Sequence, residues 1–373
     1  MTDQSETALR TALHSRHLAA GAEMLAEDGW LVPLSYGDAA EECRRVHARA
    51  GIFDVSSVGR IRIRGDGALD LLEHLCTADV ARQEDDTALY TLLCSEEGGI
   101  LDGALIVRLE GYWLLTCSPG NRQKVLDHLQ AHAEQFGARI DDQTTKTSML
   151  ALVGPQAPAI LDDVLPEKVS PAPRRAVRAG SMIIARYVAV RAGPTRLWSM
   201  EVMLPNMMVG PAWDFITAKA GDNVIWPAGR AAREVLRIEA GLPRYGREID
   251  ERIDPVTAGL ADAVDFDKDF LGAEALRALR DRGPEKRRVG LALGEGEDPP
   301  RCEIASGAAV CTGDGRQVGA VTSAAFSPSL SAPIAMAYVA ADAAGAGADV
   351  LVDAAGRRLP ARIVDLPFGA AGR

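Results

Sequence analysis

The sequence lacks the features of a membrane protein. No apolar run reaches the roughly 18 to 20 residues that a helix needs to span a bilayer. The first residues, Met-Thr-Asp-Gln-Ser-Glu-Thr, also lack the basic and then apolar order of a secretory signal. We therefore expect a cytoplasmic protein with no membrane partner.

The sequence also lacks an excess of basic residues. It holds 41 Lys and Arg against 52 Asp and Glu, which gives a formal net charge of −11. A protein whose main partner is a nucleic acid needs a concentrated basic surface that displaces counterions from the phosphates. We therefore expect no nucleic-acid partner. The arginine-rich stretch at 174–178, with Arg186 and Arg191, is interpreted as a solvated face, with an acidic carrier protein as the alternative ligand.

Cysteine and histidine are scarce and show no metal-binding spacing. The six cysteines contain no Cys-x-x-Cys pair, so neither a zinc ribbon nor a redox dithiol is indicated. They are interpreted as reduced and mostly buried small hydrophobic residues. All six histidines lie between His14 and His132, which excludes a centre that draws a histidine from the last two-thirds of the chain. We predict no metal site.

The pattern of apolar residues predicts a mixed α and β protein. A chain of 373 residues exceeds the size at which one hydrophobic core keeps growing, so two or three domains are expected. Spacing and breaker residues predict helices at 7–25, 39–50, 69–76, 122–135, 211–220 and 231–240. Alternation predicts strands at 60–64, 88–95, 104–109, 112–117, 182–190 and 201–204.

Two changes of composition divide the chain. The stretch 155–173 is rich in proline, and after 281–288 the sequence turns to short Val- and Ala-rich strands broken by Gly and Asp. We therefore predict α/β subdomains at 1–155 and 156–285, which intertwine, and a small β-barrel at 286–373.

Three segments in the last part of the chain carry a family resemblance. They are Glu-Ala-Gly-Leu-Pro-Arg-Tyr-Gly-Arg-Glu-Ile-Asp at 239–250, Pro-Val-Thr-Ala-Gly-Leu at 255–260 and Phe-Asp-Lys-Asp-Phe-Leu-Gly at 266–272. Together they resemble the signature region of the glycine-cleavage T-protein (aminomethyltransferase) family of folate-binding proteins. Weaker blocks extend the resemblance over nearly the whole chain. It implies an α+β fold of three subdomains in a ring, with tetrahydrofolate in a central channel and a C-terminal β-barrel.

The resemblance also implies a reaction and the residues that serve it. In the family, tetrahydrofolate attacks an aminomethyl group on the lipoyl arm of a partner protein, giving methylenetetrahydrofolate and ammonia. A carboxylate beside the pterin orients it and favours the developing positive charge, a role that the family gives to the second of two consecutive aspartates. Asp102, which matches the first of the two, is the catalytic candidate in this sequence. Arg233 and Arg237, one helical turn apart, match the family segment that handles the anionic folate tail. Further contacts with tetrahydrofolate are implied for Tyr90, Tyr245 and Glu201.

Several positions depart from the family pattern. The second of two consecutive family aspartates is Gly103 here, and the family's Gly-Tyr-Thr-Gly-Glu turn ends at Leu197. The Ser-His-Met-Gly turn is replaced at 56–59, and an expected tryptophan is Asp262. These four changes are interpreted as clustering around one pocket. Asp102 is then either catalytic or a solvated turn residue, and the arginine pair either binds an anion or lies on a solvated helix surface.

Three functional classes follow from the resemblance and the departures. The first is a folate-dependent one-carbon transferase of aminomethyl or methyl groups, diverged from ordinary glycine cleavage, with a lipoyl carrier protein as its possible partner. The second is an enzyme of the same fold that uses a different one-carbon donor. The third is a non-catalytic protein that binds folate or another ligand. We expect the first, with tetrahydrofolate as the small molecule bound.

Overall fold

The computed structural model describes residues 7–182, 185–193, 195–218, 224–294 and 304–369. Cys302 and the end of the helix predicted at 211–220 lie outside these ranges. No helix in the described ranges is long and apolar enough to cross a bilayer. Eight α-helices lie in them: α1 His14–Ala19, α2 Ala39–Ala48, α3 Ala68–Leu75, α4 Arg122–Phe136, α5 Ala157–Val164, α6 Asn206–Ala218, α7 Arg230–Glu239 and α8 Ala273–Arg282.

Twenty strands make up most of the remaining regular secondary structure in the described ranges. The first nine are β1 Leu9–Arg10, β2 Glu23–Glu27, β3 Trp30–Ser35, β4 Gly51–Asp54, β5 Gly59–Arg64, β6 Ala88–Cys94, β7 Ile100–Leu109, β8 Tyr112–Cys117 and β9 Arg139–Asp142. The next five are β10 Thr147–Val153, β11 Val177–Met182, β12 Ala185–Val190, β13 Ser199–Pro205 and β14 Trp226–Pro227. The last six are β15 Lys286–Leu293, β16 Ala309–Cys311, β17 Gln317–Ser327, β18 Ala332–Ala340, β19 Asp349–Ala354 and β20 Arg357–Val364.

Two sheets form the larger part of the molecule. A five-stranded sheet has the order β6-β7-β8-β5-β9, and a six-stranded sheet has the order β11-β12-β13-β10-β4-β14. The six-stranded sheet is covered on both faces. Leu150 and Leu152 of β10 pack with α5 and α6, whereas Met149 and Ala151 pack with α2 and α7. The alternation of side chains along the strand produces this division.

The C-terminal part is the predicted barrel. Strands β15-β18-β17-β16-β19-β20 close on themselves, and Val and Ala side chains fill the interior. The predicted α+β class with a C-terminal β-barrel is confirmed. The predicted boundary between residues 155 and 156 stays a prediction, and backbone pairing crosses it because β10 hydrogen-bonds to β13 as well as to β4.

One predicted element is wrong. The helix predicted at 7–25 is only the short α1, and the chain after it forms the hairpin β2–β3, in which Glu27 pairs with Trp30. The two turn residues, Asp28 and Gly29, have φ of 53° and 78°, which matches the Asp-Gly turn that favours a two-residue hairpin. The strand predicted at 182–190 is confirmed over Ala185–Val190, where it forms the second half of another hairpin, β11–β12.

Helix α7 follows its sequence signals closely. The predicted helix at 231–240 is confirmed as Arg230–Glu239, and Gly241 behind it has φ of 65°. Glycine tolerates this left-handed conformation without a Cβ clash and therefore ends the helix. The apolar side of α7 packs on the six-stranded sheet through Ala232 and Leu236, so its arginines point elsewhere.

Candidate functional site

A cavity of about 470 Å³ lies where the two large sheets, helix α7 and the loop after it meet. Its volume falls in the range of small-molecule sites, roughly 300 to 1,000 Å³. The loop between β8 and α4 forms one wall, with Ser118 and Asn121, and the hairpin β2–β3 contributes Asp28. The cavity therefore draws on parts of the chain that are far apart in sequence.

Most polar side chains that line the cavity are charged, and the arginines outnumber the carboxylates. The five carboxylates are Glu27, Asp28, Asp54, Glu201 and Glu234, and the seven arginines are Arg174, Arg175, Arg191, Arg230, Arg233, Arg237 and Arg244. An excess of positive charge in a cavity of low dielectric attracts an anionic ligand.

The two predicted anion-binding arginines of α7 both line the cavity, and both have protein carboxylates as partners. Arg233 Nη2 lies 3.4 Å from Glu201 Oε1. Arg237 Nη1 lies 3.0 Å from Glu248 Oε2, and Arg237 Nη2 donates a hydrogen bond to Glu234 Oε1. Arg237 is only 5% exposed, so the alternative of a solvated surface pair is wrong. Their role in holding a folate tail stays a prediction.

A second group of arginines at the cavity has no such neutralisation. The Arg191 guanidinium carbon lies 4.4 Å from the centre of the Trp198 ring, and Nη1 donates to the Ser199 carbonyl at 3.0 Å. The buried Nε has no hydrogen-bond partner among the residues that the structure describes. Arg175 lies just before the hairpin β11–β12 and beside Arg191, because its backbone N–H donates to the Arg191 carbonyl at 2.9 Å.

The electrostatics of this group favour an added anion. Burial and then the charge of Arg174 lower the pKa of Arg191. No carboxylate forms an ion pair with Arg174, Arg175 or Arg191 in the described part of the chain. Arg174, Arg175 and Arg186 are exposed, which agrees with the interpretation as a solvated face, whereas Arg191 is partly buried. Arg174, Arg175 and Arg191 also line the cavity.

Asp102 lies inside strand β7 and is fully buried, so its interpretation as a solvated turn residue is wrong. Its carboxylate accepts hydrogen bonds from Ser118 N–H at 2.8 Å and from Ser118 Oγ at 2.7 Å. Burial raises the pKa of Asp102. Gly103 rather than Asp102 lines the cavity, because neighbouring residues of a strand point to opposite faces. A direct catalytic role of Asp102 stays a prediction.

Tyr90 takes the space that a side chain at position 103 would need. A Cβ added to Gly103 would lie 2.6 Å from Tyr90 Oη. Both residues line the cavity. Burial, followed by the charge of Asp102, raises the pKa of Tyr90 to about 12, so its hydroxyl stays protonated at neutral pH and can donate a hydrogen bond.

Glu201 and Tyr245 complete the set of predicted residues in the cavity. Glu201 is a buried carboxylate on β13, and burial raises its pKa against the lowering effect of Arg233. Tyr245 lies at the other side, where its hydroxyl accepts a hydrogen bond from Lys124 Nζ at 2.9 Å. The structure therefore brings Glu201, Tyr90, Tyr245, Arg233 and Arg237 to one cavity, with Asp102 directly behind its wall.

Comparison with known proteins agrees with this architecture. Residues 13–268 match the model of the GCVT N-terminal domain, and residues 286–369 match that of the glycine cleavage T-protein C-terminal barrel domain. The chain belongs to the glycine-cleavage T-protein family. An aminomethyltransferase of Moorella thermoacetica is 36% identical over 361 residues, covering 96% of this chain and 97% of that protein. One of Streptomyces coelicolor is 37% identical over 367 residues, covering 96% and 97%.

A solved T-protein structure has the same fold. The glycine cleavage system aminomethyltransferase T from Bartonella henselae superposes with a TM-score of 0.89 at 30% identity. The match covers 96% of this chain and 98% of that chain. The family resemblance inferred from the sequence is confirmed.

The departures from the T-protein pattern do not all surround the cavity. Leu197 packs against the core formed by α2, α7 and β10, and Asp262 is exposed in a short 3₁₀ helix, Ala261–Ala263. Neither lines the cavity, whereas Gly103, Ser57 and Val58 do. The interpretation that all four changes cluster around one pocket is therefore wrong.

Sequence reasoning missed one buried acid beside the T-protein cavity. The Glu248 side chain is fully buried and accepts hydrogen bonds from Arg237, from the Arg244 N–H at 3.0 Å and from Ser323 Oγ at 2.6 Å. Its position inside the signature segment at 239–250 was the available signal. Nothing in the spacing shows that Ser323, far along the chain, is its neighbour.

Proposed function

We propose that this T-protein family member is a tetrahydrofolate-dependent aminomethyltransferase. The observation that carries the proposal is the cavity itself, in which a buried carboxylate, Glu201, and a group of unneutralised arginines lie in one lining. The full-length similarity to aminomethyltransferases supports the reaction class.

The lining suits the chemistry of tetrahydrofolate. The pterin edge presents adjacent N–H donors, which a buried carboxylate such as Glu201 accepts well because charge-assisted hydrogen bonds are strong. The glutamate tail of folate is anionic, and guanidinium groups bind carboxylates in a planar fork. The unpaired Nε of Arg191 is a buried donor that such a tail would satisfy.

We assign the tail to Arg191, Arg174 and Arg175 rather than to the pair on α7. Arg233 and Arg237 already have carboxylate partners, and a ligand would have to displace them. In this assignment Arg233 positions Glu201. Arg233 and Arg237 therefore shape the cavity. Arg191, Arg174 and Arg175 bind the carboxylates of the ligand.

The transfer itself requires little covalent chemistry from the protein. One nitrogen of tetrahydrofolate forms a bond to the aminomethyl carbon as the bond between that carbon and the amine breaks, and ammonia leaves. A second nitrogen of tetrahydrofolate then bonds to the same carbon as its bond to the lipoyl sulfur breaks, which gives methylenetetrahydrofolate and a free thiol. The two protons lost by the folate nitrogens end on ammonia and on the thiol. Positioning and electrostatic stabilisation are the main contributions of a protein to such a step. Tyr90 offers a protonated hydroxyl at the cavity wall, and Glu201 offers negative charge. We propose a lipoyl carrier protein as the source of the aminomethyl group.

Gly103 favours a second candidate, an enzyme of this fold that accepts a different one-carbon donor. The second family aspartate is replaced by glycine, and the Tyr90 hydroxyl fills its space. The Tyr90 hydroxyl is a neutral hydrogen-bond donor in the place of an aspartate, and this difference changes which leaving group the cavity stabilises.

Binding of tetrahydrofolate measured by calorimetry tests the proposal. We expect Arg191→Gln to weaken binding about 10- to 100-fold, the usual loss for a hydrogen bond to a charged group. Arg186→Gln, an exposed arginine of the same hairpin, should leave affinity unchanged. A tetrahydropterin without the glutamate tail should bind wild type and Arg191→Gln equally. No binding at millimolar tetrahydrofolate would exclude both folate-dependent functions.

Turnover measured with two donors distinguishes the candidates. Ammonia release from an aminomethylated lipoyl carrier protein supports aminomethyl transfer. Binding of tetrahydrofolate with no turnover of that donor, and turnover of a methylated amine, would support the second candidate.

A further inference from the structure

Away from the cavity, three side chains with different ligand chemistry converge where helix α2 meets the end of α7. The Cys43 thiol, the His47 imidazole and the Glu239 carboxylate each offer one ligand atom, and these atoms all lie within 4.8 Å of one another. No other group of three or more Cys, His, Asp or Glu side chains in the described ranges meets this spacing.

Local structure explains why the three side chains meet. Cys43 and His47 are four residues apart on α2 and therefore project from one face of the helix. Cys43 packs in the core that joins α2 to Leu236 of α7, and Glu239 is the last residue of α7. The arrangement is thus built by two packed helices rather than by a flexible loop.

The donor set is that of a transition-metal site. Zinc binds cysteine sulfur at about 2.3 Å and imidazole nitrogen or carboxylate oxygen at about 2.0 to 2.2 Å. Ligands at these distances in a tetrahedron are roughly 3.5 Å apart. His47 Nε2 and Glu239 Oε2 are now 2.7 Å apart, so they would separate by less than about 1 Å on metal binding.

Neighbouring hydroxyls hold the carboxylate in place. Glu239 Oε1 accepts hydrogen bonds from Ser327 Oγ at 2.6 Å and from Ser329 Oγ at 2.8 Å, which leaves Oε2 facing His47. Such outer hydrogen bonds orient metal ligands. Both serines lie at the end of β17 or just after it, so the cluster also reaches the barrel.

The cluster combines a buried thiol with access from solvent. Cys43 is fully buried, whereas the side chains of His47 and Glu239 are 25% and 10% exposed. An ion would enter past His47 and keep one coordination position for water. The thiolate and the carboxylate would balance the charge of a divalent ion, so the loaded site is neutral.

We propose that Cys43, His47 and Glu239 bind a divalent transition-metal ion of the zinc class. On binding, the thiol proton leaves to solvent, and the proton on His47 Nε2 is replaced by one on Nδ1, so that the Nε2 lone pair faces the ion. The ion ties α2 to α7 and to the barrel. The alternative is a hydrogen-bonded His47–Glu239 pair that binds no metal.

Cobalt titration of the full-length protein tests the site. After removal of any purification tag and treatment with a chelator, Co²⁺ alone is added and the absorption spectrum is recorded. We expect one Co²⁺ per chain with a thiolate-to-cobalt charge-transfer band, which Zn²⁺ removes by competition. Cys43→Ser should lose the band. Cys311→Ser, which removes a partly exposed thiol on β16, should keep it.

Two further variants test the site independently if Cys43→Ser fails to fold. His47→Gln should weaken Co²⁺ binding by more than about 100-fold, because it removes a ligand. Ser327→Ala should weaken it by about 10-fold, as expected for an outer hydrogen bond. Absence of the band in the wild type, its persistence in Cys43→Ser, or its loss in Cys311→Ser would overturn the proposal.

Discussion

At the residue scale, one glycine decides how the cavity wall is built. Gly103 leaves room for the Tyr90 hydroxyl, and the neighbouring Asp102 turns its carboxylate away from the cavity toward Ser118. From the sequence, Asp102 and Gly103 could be recognised as a departure from the family pattern. Which of the two faces the cavity could not be predicted, because it depends on the register of β7 between β6 and β8.

Restoring an aspartate at position 103 should destabilise the protein. Gly103→Asp places its Cβ against Tyr90 Oη, and overpacking of this kind lowers the free energy of unfolding by about 1 to 3 kcal/mol. Urea denaturation measures the loss. The double variant Gly103→Asp/Tyr90→Phe should regain part of it, because the next ring atom lies at 3.4 Å. Gly313→Asp, where a Cβ meets nothing within 4 Å, is the matched control.

Asp102 should act on the reaction through Ser118. Asp102→Asn offers one acceptor oxygen to two donors of Ser118, and an unpaired buried donor costs about 1 to 3 kcal/mol of unfolding free energy. Ser118 lines the cavity, so a displaced wall should lower kcat by about 100-fold with little change in tetrahydrofolate affinity. Steady-state kinetics and calorimetry measure the two quantities. Unchanged kcat would remove Asp102 from the reaction.

At the scale of elements, α7 supplies three of the seven arginines that line the cavity. Its limits could be predicted from apolar spacing and from Gly241, and the four-residue spacing of Arg233 and Arg237 could be read directly. The partners of these arginines could not be predicted, because Glu201 lies on β13 and Glu248 lies beyond the helix. A helical pattern shows which side chains share a face and does not show what is opposite.

Glu234 of α7 should make stability depend on acid pH. Burial acts to raise the pKa of Glu234, but the hydrogen bond and charge of Arg237, with the charge of Arg230, lower it from 4.5 to about 2. The resulting stabilisation, about 3 kcal/mol, is therefore present above pH 4.5 and is lost as the pH falls toward 2. Urea denaturation at a series of pH values should show this fall in the free energy of unfolding between pH 4.5 and 2. The fall should be smaller in Glu234→Gln and unchanged in Glu97→Gln, which alters an exposed glutamate.

At the scale of the whole molecule, buried acids join the barrel to the rest of the chain. Glu248 accepts hydrogen bonds from Arg237 on one side and from Thr322 and Ser323 of β17 on the other. The barrel and the family fold could be predicted from the sequence. The contacts between the barrel and the rest of the chain could not be predicted, because each contact joins residues that are far apart in the sequence and share no local pattern.

Removing Glu248 should weaken this junction strongly. Glu248→Ala breaks the buried ion pair with Arg237, which keeps Glu234 as its other carboxylate partner, and removes the acceptor of the Ser323 hydroxyl. Breaking a buried ion pair costs about 3 to 5 kcal/mol of unfolding free energy. Glu251→Ala, which breaks an exposed pair with Lys124, should cost less than about 1 kcal/mol. Chemical denaturation provides both values, and equal losses in the two variants would contradict the assigned role of Glu248.

The pairing of β4 with β10 also has a consequence for synthesis on the ribosome. Asp54 pairs with Leu150, and the whole five-stranded sheet is encoded between these two strands. Chains grow at about 5 to 20 residues per second, so β4 leaves the ribosome about 5 to 20 s before β10 does. During that interval the five-stranded sheet can fold, while the apolar residues of β4 stay uncovered. Aggregation through β4 is therefore a hazard until residue 150 has emerged.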